Sequence, residues 1–498
     1  MNTYTKKERN MYLIGLMGQN VIYNVIATGM TFYFQSVIFI PAIAISVIMG
    51  VARIWDAVND PMMGTIVDRT RTKWGKCRPY LFFVPTIVMI TTFLTFVNGQ
   101  YSAANSAKTN AIIIGWAAVS YILWGMTYTA GDIPIWGITS LMTDSEKDRA
   151  SILSLARIVA GIAGAAILLL IVPISQSVGA NLAADGMGQS KGLQWGFIIV
   201  CGIFTVVGSL MFQCAAFAKE RVVQPSDEHK SFTDNVKTMW SCVPFRRVLL
   251  SGVLKAPMQL LLGVAMTLMS YYYGDNGGDG QGYMQYMAIL GGAMFGSQFV
   301  AMGFVPKLCE KFEKRKVYNI STLIGVVPFT AIFLVYLLDG TSLYKTHWVA
   351  FMAVMFAFAG AGMGASTVMQ SILIADCVDY DEHRTGYRPD GIFFSGQSFI
   401  TKLGAGISSF IQGIVFAIVG FSGDAVAACN EALAASPASD FLFATAPEYE
   451  AYRFGMFFLM SVPTAIACVV SILPMLKYEI TNQKHKEIMA DLNKRRNS

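Results

Sequence analysis

Arg53, Asp56, Asn59 and Asp60 sit inside an apolar run from Pro41 to Val67. That run is long enough to cross a bilayer. In an α-helix Arg53, Asp56 and Asp60 fall at i, i+3 and i+7, so they share one face with Asn59 beside them. Each charge near the bilayer centre costs at least roughly 2.5 kcal/mol on insertion scales, so this face must look into a bundle or a water-filled cavity. Two carboxylates and an amide oxygen one turn apart are hard ligands that suit a small cation, and the carboxylates are also places to hold a proton. The competing reading is a packing network in which Arg53 neutralises one acid, but it leaves the second carboxylate without a partner.

A third intramembrane acid lies in the stretch from Trp124 to Trp136. There Tyr128, Asp132 and Trp136 recur at i, i+4 and i+8, which lines up an aromatic, a carboxylate and an aromatic on one stripe. A carboxylate accepts paired hydroxyl hydrogens and an indole face packs on the C–H face of a pyranose, so the stripe suits a sugar. A helix-packing stripe is the alternative. Thr129, three residues before Asp132, could supply a hydroxyl oxygen to a cation on the Pro41–Val67 span. Asp132 also needs a counter-charge, for which Arg157 and Lys402, each alone in its own apolar span, are candidates. Lys255 lies near the end of its span and reads as snorkelling.

The elements that must position these residues follow from composition. The 498 residues are 54% hydrophobic and only 14% charged, with mean hydropathy +0.50; an average soluble domain carries roughly 25% charge. The chain therefore reads as an all-α integral membrane protein with twelve transmembrane helices in two pseudo-symmetric six-helix bundles. The expected spans are 11–40, 41–67, 80–97, 111–142, 151–173 and 195–218, then 248–273, 284–305, 317–338, 348–375, 391–421 and 454–476. Residues 1–218 form the N-terminal bundle, 219–247 a polar cytoplasmic linker, 248–476 the C-terminal bundle and 477–498 a cytoplasmic tail. The first span has no convincing cleavage site and is expected to be retained. About 29 of the 37 Lys and Arg residues fall in the two tails and on one side of this topology, which makes both termini cytoplasmic and the location the cell's inner membrane. The external stretch 422–450 is Ala-rich and acidic, either a small cap or a flexible loop.

The function classes narrow accordingly. The net charge of +6 comes from anchoring residues and does not point to nucleic acid. The eight cysteines are scattered with no CxxC, and the four histidines fall in loops or tails, so neither a disulfide framework nor a metal site beyond a Na⁺ site is expected. No cofactor, catalytic residue or obligatory protein partner is implied. A polytopic enzyme is disfavoured by the lack of nucleophile–base or phosphate-cradle motifs, and a sensor by the lack of an appended soluble domain. A weak internal repeat supports two halves: Gly64 to Lys73 follows the second span and Gly303 to Lys316 the eighth, while Arg157 and Lys402 each precede small residues in the fifth and eleventh. The acid-rich run from Asp376 to Gly391 reads as a gating segment that docks on basic loops. Arg53, Asp68, Arg69, Asp379 and Arg384 form the expected charge network and gate.

Four stretches together resemble the glycoside-pentoside-hexuronide:cation symporter family of the major facilitator superfamily, of which melibiose permease is the best-known member. They are Arg53-Ile-Trp-Asp56-Ala-Val-Asn59-Asp60-Pro61, Thr70-Arg-Thr-Lys-Trp74-Gly75-Lys76-Cys-Arg-Pro79, Trp124 to Trp136, and Val378-Asp379-Tyr380 through Lys402. The resemblance implies the major facilitator fold and symport of a glycoside or oligosaccharide with Na⁺ or H⁺ by alternating access. It implies a cation site at Asp56, Asn59, Asp60 and Thr129. It implies sugar contacts at Tyr128, Asp132, Trp136 and Arg157, with Gln397 and Lys402 from the second half. One departure stands out: where melibiose permease has a sugar-binding carboxylate after a Lys in the first span, this chain reads Gln19-Asn20. The loss of an acid at Asn20 shifts the expectation from galactosides towards a hexuronide or pentoside. A lipid or another organic solute carried by a transporter of the same superfamily is the alternative.

Overall fold

A computed structural model describes residues 4–30, 33–102, 104–221, 237, 240–273, 285–388, 390–420 and 443–497. Most of the expected linker and the stretch 421–442, with Cys429, lie outside the described residues. Among those described, the chain is helical apart from short connections and one isolated β-bridge between Thr72 and Gly75. In chain order the helices are α1 (Lys6–Asn24, continued by π-helical turns Val25–Met30 and Tyr33–Val37), α2 (Ala42–Arg69), α3 (Arg78–Phe96), α4 (Ala107–Leu141), α5 (Glu146–Leu182) and α6 (Gln189–Gln213). There follow α7 (Val243–Leu254), α8 (Leu260–Leu268), α9 (Gly292–Lys311), α10 (Lys314–Ile324), α11 (Val326–Asp339), α12 (Thr346–Thr385), α13 (Asp390–Ile418), α14 (Glu450–Val470) and α15 (Asn482–Asn497).

Local chemistry sets several starts. Thr5 and Glu8 close a capping box on α1, Ser106 accepts the Thr109 amide at the start of α4, and Ser145 accepts the Asp148 amide at the start of α5. Among the described residues nine helical segments are long and apolar enough to cross a membrane. The three remaining expected spans fall on α1, α2 and α7–α8. Their physical reasons differ: α1 opens on Lys6, Lys7, Glu8 and Arg9, α2 carries its charges mid-length, and the seventh is split by a 3₁₀ turn at Ala256–Gln259.

The chain divides into two compact units. The first gathers Met1–Cys242, Ile374–Phe399 and Lys486–Ser498; the second holds Val243–Leu373 and Ile400–His485. In the first unit α1 packs on α6 at glycines, since a Cβ on Gly18 would lie 2.3 Å from the Gly208 carbonyl oxygen. Backbones approach this closely only where small residues allow it, which is how membrane helices associate without a hydrophobic driving force. The second unit is built on an aromatic core in which Tyr336 stacks on Phe457 at 4.4 Å and Tyr272 meets Phe457 edge-on at 5.3 Å.

Candidate functional site

The acids of α2 face α4. Asp60 is fully buried, and its Oδ1 accepts the Thr129 hydroxyl at 3.0 Å. One turn earlier a Cβ on Gly125 would stand 3.6 Å from Asp56 Oδ1. Asp56–Gly125 and Asp60–Thr129 are thus successive rungs between two helices. The Arg53 guanidinium lies 3.8 Å from Asp56, at the outer limit of an ion pair, and its side chain is 37% exposed while Asp60 is sealed. Arg53 therefore contributes little neutralisation deeper in the face. Asn59 is buried beside this pair, and its Nδ2 makes no hydrogen bond. Turned about, the same amide offers a carbonyl oxygen, so the set can present two carboxylates, an amide oxygen and a hydroxyl.

Beside these rungs α4 carries the aromatic stripe. Tyr128 is buried and stacked on Trp124 at 4.9 Å, with Tyr23 of α1 at 5.4 Å. The Arg157 guanidinium from α5 lies 4.1 Å from the centre of the Trp136 ring, a cation–π geometry. Asp132 and the Tyr12 hydroxyl lie within electrostatic reach of that guanidinium. Of the two proposed counter-charges to Asp132, Arg157 is therefore brought near it within the first unit. Gln397 of α13 is buried in the first unit, and Lys402, five residues on, belongs to the second.

The sequence reading did not single out Gln19 as a contact, and the structure makes it the hinge of this group. Its Nε2 donates to Asp132 Oδ1 at 2.8 Å and also bonds the Tyr128 hydroxyl. Asn20, the expected substrate contact, instead donates to the Leu16 carbonyl at 3.0 Å and to Gln19 Oε1 at 2.6 Å. Its link to Asp132 therefore runs through Gln19. A signal was present in the chain: Tyr12, Leu16, Gln19 and Ile22 recur at helical spacing on the buried side of α1.

A second group of charges gathers where α2 and α4 end and α5 and α13 begin, all inside the first unit. Asp68 Oδ1 accepts the Lys76 ammonium at 3.0 Å and the Gly391 amide at 2.8 Å, while its Oδ2 accepts the Ile392 amide at 2.9 Å. Lys76 also reaches Asp390 at 2.9 Å, and Asp390 accepts the Ser140 hydroxyl at 2.5 Å. Arg388 bonds Asp379 at 3.0 Å, forms ion pairs with Asp390 at 3.1 Å and with Glu382, and donates to the Ser140 carbonyl at 3.0 Å. Arg149 closes the group on Asp379. Burial works against the Lys76 ammonium, but Asp390 and Asp68 more than reverse it and raise its pKa; Arg388 is raised likewise, against burial, by Asp390, Glu382 and Asp379. Both stay charged at any physiological pH.

Of the five residues expected in the network, Asp68 and Asp379 are members of this cluster. Arg69 is exposed, and Arg384 turns to Asp381 at 2.6 Å and the Ser241 hydroxyl at 2.9 Å. Arg53 stays with Asp56. Lys76, Arg149, Glu382, Arg388 and Asp390 take the remaining places. Spacing along one helix could not reveal the pairing of Lys76 with Asp390 or of Arg149 with Asp379, which lie 314 and 230 residues apart.

The comparisons agree with this architecture. A family profile described as "MFS/sugar transport protein" matches residues 11–482. A "Putative glycoside/cation symporter YagG" of Escherichia coli (strain K12) is 25% identical over 430 residues, covering 85% of each chain. An "Isoprimeverose transporter" of Lactiplantibacillus pentosus is 26% identical over 424 residues, covering 83% of this chain and 80% of the relative. Among solved structures, the major facilitator transporter FucP in its outward conformation superposes with a TM-score of 0.59 at 12% identity, covering 93% of this chain and 98% of that one. The all-α major facilitator fold expected from the sequence is thereby established.

Proposed function

Because the chain belongs to the MFS/sugar transport protein family, we propose that it is a secondary transporter moving a glycoside or short oligosaccharide together with Na⁺ or H⁺ by alternating access. The printed names of the relatives support this reading, since they include a glycoside/cation symporter and an isoprimeverose transporter. The observation that carries it is that α4 bears both halves of the chemistry. Thr129 is bonded to Asp60 of α2, and Tyr128, Asp132 and Trp136 flank it on the same helix. A cation drawn to Asp56, Asn59, Asp60 and Thr129 tilts or stiffens the helix that presents the sugar contacts. Linkage then requires that sugar raise cation affinity by the factor that cation raises sugar affinity.

In this reading Asp132 takes paired sugar hydroxyls, Trp136 packs on a ring face, and Arg157 serves an acidic or hydroxyl group. Gln397 and Lys402 contribute from α13, and Asn20 acts by orienting Gln19. Asp68, Asp379 and their partners are a latch that breaks and reforms during the cycle. The division into an N-terminal bundle 1–218, a linker 219–247, a C-terminal bundle 248–476 and a tail belongs to the same proposal. So do the inner membrane as location and cytoplasmic termini, which the Lys and Arg distribution supports. No chemical conversion of the substrate, cofactor or protein partner enters.

The test is binding of α- and β-galactosides, xylosides and glucuronides to the purified protein with Na⁺, Li⁺ or only H⁺ present, followed by counterflow in vesicles. One sugar class bound more tightly with one cation, and exchanged in counterflow, is the expected result. No binding in the whole panel refutes the sugar assignment.

A further inference from the structure

We propose that Glu220, at the start of the linker 219–247, is a positioning residue that aims Lys76 into the latch. Its carboxylate accepts three successive backbone amides: Lys76 at 2.9 Å, Cys77 at 2.8 Å and Arg78 at 3.0 Å. The last two are free N-terminal amides of α3 and the first lies just before its cap, where the helix dipole also favours an anion. The residue at the capping position, Cys77, makes no side-chain cap bond. An acid more than 140 residues away takes over that task. The carboxylate can come so close because Gly75 has no side chain: its φ is +112°, and a Cβ there would stand 2.4 Å from the Glu220 carboxyl carbon.

The Lys76 backbone is thus held on both sides. Gly75 closes a turn on Thr72, with its amide 3.0 Å from the Thr72 carbonyl and its own carbonyl accepting the Thr72 hydroxyl at 2.7 Å. Glu220 takes the next three amides. From this fixed origin the Lys76 side chain reaches Asp68 and Asp390. Glu220 is itself anchored by its neighbours. The Arg221 amide donates to the Leu141 carbonyl at 2.7 Å, the Arg221 guanidinium bonds both oxygens of Glu8, and Arg78 Nε donates to the Ala216 carbonyl at 2.7 Å. Residues 220–221 therefore tie the start of the linker directly to the latch, and a displacement of this segment carries Lys76 with it.

This inference rests on the reading of the charge cluster as a latch, and its test needs no sugar. The Gly391 and Ile392 amides are bonded to Asp68 and not to Glu220, so their hydrogen exchange reports the latch at a distance. In the full-length protein Glu220→Gln is expected to speed exchange at 391–392 roughly tenfold, the population shift for one lost charge-assisted hydrogen bond. Exchange in the interior of α6 is expected to stay unchanged. Gly75→Ala, which fills the carboxylate's place, is expected to reproduce the effect and serves where Glu220→Gln does not express. Lys76→Met alone is expected to speed the same amides, and adding Glu220→Gln to it to bring no further increase. Unchanged exchange at 391–392, an additive double variant, or equal acceleration in α6 would overturn the proposal. A Glu220 effect in a protein that binds no sugar would leave this inference standing and sink only the sugar assignment.

Discussion

Thr129→Val tests the coupling site and separates the two candidate ions by sign. The substitution keeps the volume and removes one hydroxyl, whose hydrogen goes to Asp60 Oδ1 at 3.0 Å in a fully buried setting. A hydroxyl has one hydrogen and two lone pairs, so Thr129 can keep its bond to Asp60 while a lone pair faces a cation. If the ion is Na⁺, valine removes a ligand from the bound state, and cation affinity falls by roughly 10- to 100-fold for a loss of about 1.5–3 kcal/mol. If the ion is H⁺, valine removes a donor that favours the ionised carboxylate, so the proton is held more readily and activation moves to lower proton concentration. The assay is sugar binding by the purified protein, titrated with Na⁺ at fixed pH and then with pH in the absence of Na⁺. Thr129→Ser, which keeps the hydroxyl, is expected to follow the native protein in both titrations. Activation within twofold of native for Thr129→Val in both would refute the reasoning.

Three further outcomes follow from the geometry. Gln19→Leu removes the amide joining Asp132 to Tyr128, so sugar affinity measured by isothermal titration is expected to fall roughly tenfold while cation activation persists. Arg388→Met leaves Asp379, Glu382 and Asp390 without a shared cation; a loss of about 3–5 kcal/mol is expected in thermal unfolding, and Asp379→Asn in the same background should recover part of it. At Glu8 burial raises the pKa, but the Thr5 amide and Arg221 outweigh it and hold the carboxyl below 4.5. Its contribution is therefore present above that value and lost as pH falls through the lowered one. Glu8→Gln is expected to lower the melting temperature at pH 7, and the two proteins to converge on acidification.

The chain itself determined its class and much of its chemistry. Apolar runs long enough to span a bilayer must form helices, since lipid offers the backbone no other partners. Charges inside such runs are too costly to be incidental. Asp56, Asn59, Asp60 and Asp132 could therefore be singled out from helical periodicity alone, as could the Tyr128–Trp136 stripe. Tertiary structure decided which groups meet. Only packing brought Thr129 of α4 onto Asp60 of α2, turned Gln19 rather than Asn20 to Asp132, and laid Arg157 over Trp136. The charge cluster around Asp68 and Asp379 was the least legible part. Lys76 is separated from Asp390 by 314 residues and Arg149 from Asp379 by 230, and a charge in a connecting segment looks solvated until its partner is known. Helical spacing constrains neighbours within about one or two turns; beyond that range, pairing is a property of the folded bundle.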